Sequence, residues 1–212
     1  MSRVVLLSGI AVIAIAAWII LDPPAPREVW ATVPSPPPAK TNAPGDGICT
    51  ECHGGTPLNE AGGSVTIGGV PTSYVPTQTY TLTVTVQHPT QRRWGFELVP
   101  LRTNNTMAGA LTSTTQLTAT IPFNNKTYIG HNNAVAGQDG TFLGAASGMW
   151  TFSWTAPGPG VGTVTFYAAG NAANGTGGTD GDKIYTTSVS ATEGSMTGVD
   201  ATTWGKIKML YR

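Results

Sequence analysis

The sequence is poor in charge, in cysteine and in histidine, and each shortage narrows the chemistry open to it. Its 212 residues carry 11 basic and 11 acidic side chains, a charged fraction of 10% and a formal net charge of zero. Such a chain lacks the broad basic surface that holds a phosphate backbone, so nucleic acid is not an expected partner. Only two cysteines are present, Cys49 and Cys52, and only three histidines, His53, His88 and His131. A four-ligand zinc site would have to borrow from these histidines and from carboxylates, because there is no second cysteine pair. No Ser/His/Asp set is legible. Paired carboxylates are absent except for Asp180 and Asp182 in Gly178-Thr179-Asp180-Gly181-Asp182, which could bind calcium but reads more simply as a Gly/Asp turn. The chain therefore reads as a non-enzyme.

Helix signals are scarce as well. With 27 glycines, 16 prolines and threonine in alternating runs, the composition favours strands and turns, and 40% hydrophobic content over this length supports one sizeable domain with appendages.

What is present is a concentration of rare residues. Cys49-Thr50-Glu51-Cys52-His53 holds both cysteines and one histidine within five positions, the signature of c-type haem attachment. Thiols three positions apart reach the two vinyl groups of one porphyrin, and the next imidazole meets the iron. A disulfide or redox dithiol is the second reading and half of a zinc site the third. The loop-like Ala43-Pro44-Gly45-Asp46-Gly47-Ile48 before the motif argues against a thioredoxin-like helix start. The expected cofactor is thus one covalently attached haem c, held by Cys49, Cys52 and His53. For the remaining axial position His131 ranks first, His88 second, then Met107 or Met149. His131 stands where a strand runs into a Gly/Asn-rich loop, whereas His88 ends a strand before Pro89.

The flanks suggest export. Val4 to Leu21 is an 18-residue run without charge, long enough to cross a bilayer as a helix. It reads as a retained anchor or a cleaved signal peptide. The bulky Trp18-Ile19-Ile20-Leu21 end favours the anchor, and Arg3 places the N-terminus in the cytoplasm and the body outside. Asp22 to Pro44 contains eight prolines and reads as an extended linker, able to span roughly 70 Å in polyproline conformation. Residues 45–195 form the expected domain. Asp200 to Arg212, within a tail at 196–212, reads as a short amphipathic helix.

Within the domain, Thr77 to Gln87 alternates Tyr80, Leu82, Val84 and Val86 with threonines, a strand with one apolar face. Further strands are expected at Ser64 to Gly69, Arg93 to Leu101, Ala110 to Ile121, Lys126 to Gly130, Gly148 to Thr155, Gly162 to Ala169 and Lys183 to Thr192. Trp150, Phe152 and Trp154 alternate and should share a buried face. The pattern predicts an all-β antiparallel sandwich of the immunoglobulin-like kind.

The blocks Ala43 to Gly55, Arg93 to Leu98, Tyr128 to His131, Trp150 to Trp154 and Val164 to Gly175 together resemble the bacterial choice-of-anchor V family. That resemblance covers roughly Ala43 to Thr192. It implies a Reeler-like extracellular β-sandwich with an N-terminal Cys-x-x-Cys-His motif, and it implies no activity. The chain departs from the family in showing no C-terminal hydrophobic anchor. The combined expectation is a single-pass, inner-membrane, periplasm-facing monohaem c-type cytochrome. It would transfer electrons, or serve as an accessory redox subunit of a respiratory or photosynthetic membrane complex. The alternative is a non-redox scaffolding subunit whose two cysteines form a disulfide.

Overall fold

The structure is a computed structural model and describes residues 34–195. The apolar N-terminal run and the amphipathic tail both lie outside the described residues, and among the described residues no helix is long and apolar enough to cross a membrane.

Ten strands follow in chain order: β1 (Ser64–Gly68), β2 (Ser73–Tyr74), β3 (Thr79–Gln87), β4 (Arg93–Arg102), β5 (Ala110–Ser113), β6 (Thr118–Phe123), β7 (Lys126–His131), β8 (Ser147–Thr155), β9 (Val164–Ala173) and β10 (Lys183–Glu193). They form a four-stranded sheet, β1-β3-β8-β5, and a six-stranded sheet, β2-β10-β9-β4-β7-β6. The fold is all-β, as expected. The expectation of a wholly antiparallel sandwich is corrected at one edge: β2 pairs in parallel with the end of β10, through Thr192 and Glu193.

The alternation in β3 sends Leu82, Val84 and Val86 fully into the core between the sheets. From β8, Trp150, Phe152 and Trp154 enter the same core and meet β4 and β9, with Phe96 against Trp150 at 4.6 Å and Phe166 against Trp154 at 4.8 Å between ring centroids. Burying an indole N–H requires an acceptor. Trp150 Nε1 donates to the Gly140 carbonyl and Trp154 Nε1 to the Ala108 carbonyl. The stretch read as one strand from Ala110 to Ile121 is two, in different sheets. Ser113 Oγ turns the chain between them by bonding the Thr115 and Thr118 carbonyls.

β4 is buried along nearly its whole length because both its faces are covered. Trp94, Phe96 and Leu98 belong to the inter-sheet core, whereas Val99 and Leu101 join Ala43 and Tyr128 in a second, outer cluster. The cover on that outer face is chain from the proline-rich stretch. From Pro34 onward it is a strap packed on the sheet rather than a free spacer. The Asn133 N–H donates to the Pro34 carbonyl, Lys40 N–H donates to Glu97 Oε2 at 2.6 Å, and Asp46 accepts from Lys126 Nζ and the Tyr128 hydroxyl. Thr41 and Ala43 of the strap are themselves buried.

Candidate haem site

The Cys-x-x-Cys-His motif is wound as one 3-10 turn, Cys49–Glu51, with the Cys52 and His53 amides both donating to the Cys49 carbonyl. At three residues per turn, positions i and i+3 eclipse, so this turn brings the two cysteines to one side. Both are free thiols. Burial, reinforced by the nearby Glu97 carboxyl, pushes the Cys49 thiol up to about 12. A redox dithiol works through a depressed thiol pKa, so this environment opposes the thioredoxin reading.

Beside the turn lies a cavity of about 650 Å³ lined by Cys49, Cys52, His53 and His131. That volume falls within the range of about 300–1,000 Å³ typical of small-molecule and cofactor sites. It runs over β4 from Arg93 to Glu97, is roofed by Pro36 and Pro37 of the strap, and is bounded by the glycines 175, 177 and 178.

His53 is fixed by a residue 129 positions away. Its Nδ1 lies 2.6 Å from Oδ2 of Asp182, whose side chain is 1% exposed. A buried carboxylate accepts, so Nδ1 carries the proton and Nε2 keeps its lone pair, with Asn171 Nδ2 3.4 Å from it. This is the arrangement in which a ligating imidazole is oriented and made more basic by its outer partner. Asp182 also accepts from the Asn174 backbone N–H, and the loop before it is zipped to the motif by Gly54 N–H to the Thr179 carbonyl and Gly181 N–H to the Gly54 carbonyl. The Asp180–Asp182 segment is thus a turn, as its composition suggests, but one whose second carboxylate positions the motif histidine. Its spacing gave no hint of that partner.

His131 closes β7 and is 8% exposed. Burial drives its pKa down to about 4. The two imidazoles are brought together by strand register: the His53 ring lies against Asn171 of β9, the His131 ring lies against Gly95 of β4, and Gly95 and Asn171 are register partners. Adjacent strands are about 4.8 Å apart. A Cβ on Gly95 would stand 2.9 Å from His131 Cε1, so the missing side chain is what admits the ring.

The other ranked candidates lie elsewhere. His88 is buried against Tyr185 and takes the Thr90 amide on Nδ1, away from this cavity. Met149 is exposed on β8, and Met107 packs between the two apolar clusters.

The expectation of a metal-binding protein is corrected. Among the described residues no group of three or more His, Cys, Asp or Glu is gathered to hold a metal ion. Zinc has no site there. The chemistry of the donor set, two thiols on one turn with an imidazole whose Nδ1 is already engaged, fits a porphyrin that brings its own four equatorial nitrogens. Two buried oxygens at the cavity, Glu97 Oε1 and Asn171 Oδ1, have no protein partner, and Arg93 lines it without a salt-bridge partner among the described residues.

No protein-family model matches the chain, and no curated protein matches it. Among solved structures it is similar to the human F-spondin reeler domain, with 21% identity over 66% of this chain and 95% of that one and a TM-score of 0.44. The Reelin-N domain of F-spondin gives 19% identity over 69% and 96%, with a TM-score of 0.46. AvmM, which catalyses macrocyclisation in alchivemycin A biosynthesis, gives 14% identity over 68% and 94%, with a TM-score of 0.40. None of these three is a cytochrome by its name.

Proposed function

We propose that the protein carries one covalent haem c and acts in electron transfer, as a carrier or as an accessory redox subunit of a respiratory or photosynthetic membrane complex. The observation that carries this reading is the cavity shared by Cys49, Cys52 and His53, with the His53 Nδ1 held by Asp182. Cys49 and Cys52 would hold the group through thioether bonds to its vinyl carbons, and His53 Nε2 would be an axial ligand. The chemistry the group supplies when bound is one-electron transfer. Asp182 keeps the His53 proton on Nδ1 and orients the ring. Pro36 and Pro37 of the strap and Gly175, Gly177 and Gly178 line the same cavity.

The apolar Val4 to Leu21 run supports tethering to the inner membrane, with the sandwich in the periplasm. The motif blocks from Ala43 to Thr192 support kinship with the choice-of-anchor V family. The free thiols favour haem over the scaffolding alternative, which needs a Cys49–Cys52 disulfide.

The test is to express the full chain with a c-type haem maturation system. The expected result is intact mass raised by one haem, a reduced-minus-oxidised difference spectrum, and loss of both in Cys49→Ser with Cys52→Ser. Unchanged mass, with the two cysteines oxidised to a disulfide, would return the protein to the scaffolding reading.

A further inference from the structure

The hydrogen bonding of His131 bears on what the site does once the haem reading above holds. The β4–β7 ladder has two register pairs, Glu97 with Gly130 and Leu98 with Ile129, and stops there. One residue further on, the Phe96 N–H is met by the His131 ring: it donates to Nδ1 at 3.2 Å. That bond is buried, and its donor is a strand amide that cannot turn away. Nδ1 must therefore offer a lone pair, and in the neutral imidazole the single proton falls on Nε2. The same bond excludes the doubly protonated ring, which has no lone pair on Nδ1. Ligation through Nε2 would require the proton on Nδ1, setting two buried donors against each other.

We infer that His131 is not an iron ligand but presents an Nε2–H donor to the haem cavity, so that the site binds a small anionic ligand of the size of azide or cyanide. Arg93 lines the same cavity without a salt-bridge partner among the described residues and, although Asp139 also feels its charge, brings positive charge to that cavity. Hydrogen-bond donors and access beside the iron are what separate ligand binding from pure electron transfer. The inference rests on the proposed haem attachment, and it departs from the expectation of His131 as sixth ligand.

The experiment uses the full chain matured with haem, its covalent attachment first verified by mass. Absence of haem overturns the haem reading itself and this inference with it, and is recognised before any ligand is added. With haem in place, the wild type is expected to show a high-spin ferric spectrum. His131→Leu should keep that spin state while binding azide about tenfold more weakly, the factor for one lost hydrogen bond, and His131→Gln, which retains an N–H donor, should recover most of the affinity. The C–O stretch of the reduced carbon monoxide adduct should rise in His131→Leu. A low-spin wild type that becomes high-spin in His131→Leu, or azide affinity indifferent to that change, would overturn the inference.

Discussion

Glu97 shows how one residue couples the strap to the site. It is fully buried on β4, accepts the Lys40 amide on Oε2 and leaves Oε1 without a partner. Burial raises its pKa from 4.5 to about 8. A carboxyl whose folded pKa lies above its unfolded value stabilises the fold fully below pH 4.5, and that contribution is lost as pH rises towards 8. His131, whose folded pKa is lowered from 6.5 to about 4, has the opposite slope below pH 6.5, so thermal unfolding should show a melting temperature that falls between pH 6.5 and pH 8, and Glu97→Gln should flatten that slope. A wild-type melting temperature that rises across the interval would contradict a raised pKa. Of the site residues, Cys49, Cys52 and His53 were legible because their chemistry depends on local spacing. Asp182 and Glu97 were not, since each acts on a partner far along the chain, and His131 was legible as a candidate but not in its tautomer.

At the scale of elements, alternation was the reliable signal. β3 and β8 show it and were found with small boundary shifts, because each has one face on the core and one outward. β2 escaped because two residues carry no periodicity. The Ala110 to Ile121 stretch escaped because a bend between sheets leaves alternation almost intact. The weight of the inter-sheet core falls on the indoles. Trp150 is 1% exposed, contacts Phe96 and Phe142, and has its N–H satisfied by Gly140. Trp150→Ala is expected to cost about 3–5 kcal/mol in urea unfolding. A loss below about 1 kcal/mol would mean that the core refills the space or that this ring is not central to it.

For the whole molecule, the decisive feature is that an N-terminal strap closes a site on the outer face of the larger sheet. Composition marked the strap as proline-rich and extended; from Pro34 it bends, with Ala39 and Asn42 at positive φ, and its docking depends on Gly130. A Cβ there would stand 2.5 Å from Pro36 Cγ and 3.0 Å from the Phe96 carbonyl oxygen. Gly130→Val should lift the strap while the sandwich stays folded. Amide hydrogen exchange at Asn42 and Gly47, whose N–H groups are bonded within the strap, should accelerate about tenfold, as for a local opening made easier by about 1.4 kcal/mol. Unchanged protection there would show that Asp46 and Glu97 hold the strap without this contact.

The sequence by itself determined the β class, the alternating core faces of β3 and β8, and the five-residue motif, because these depend on neighbours one to four positions apart. Only the tertiary structure decided that Asp182 holds His53, that His131 meets Gly95 and the Phe96 amide, and that the strap roofs the cavity. Those arrangements follow from strand register and from the places where glycine leaves room, and register between distant strands is set by packing of the whole sandwich rather than by any local pattern.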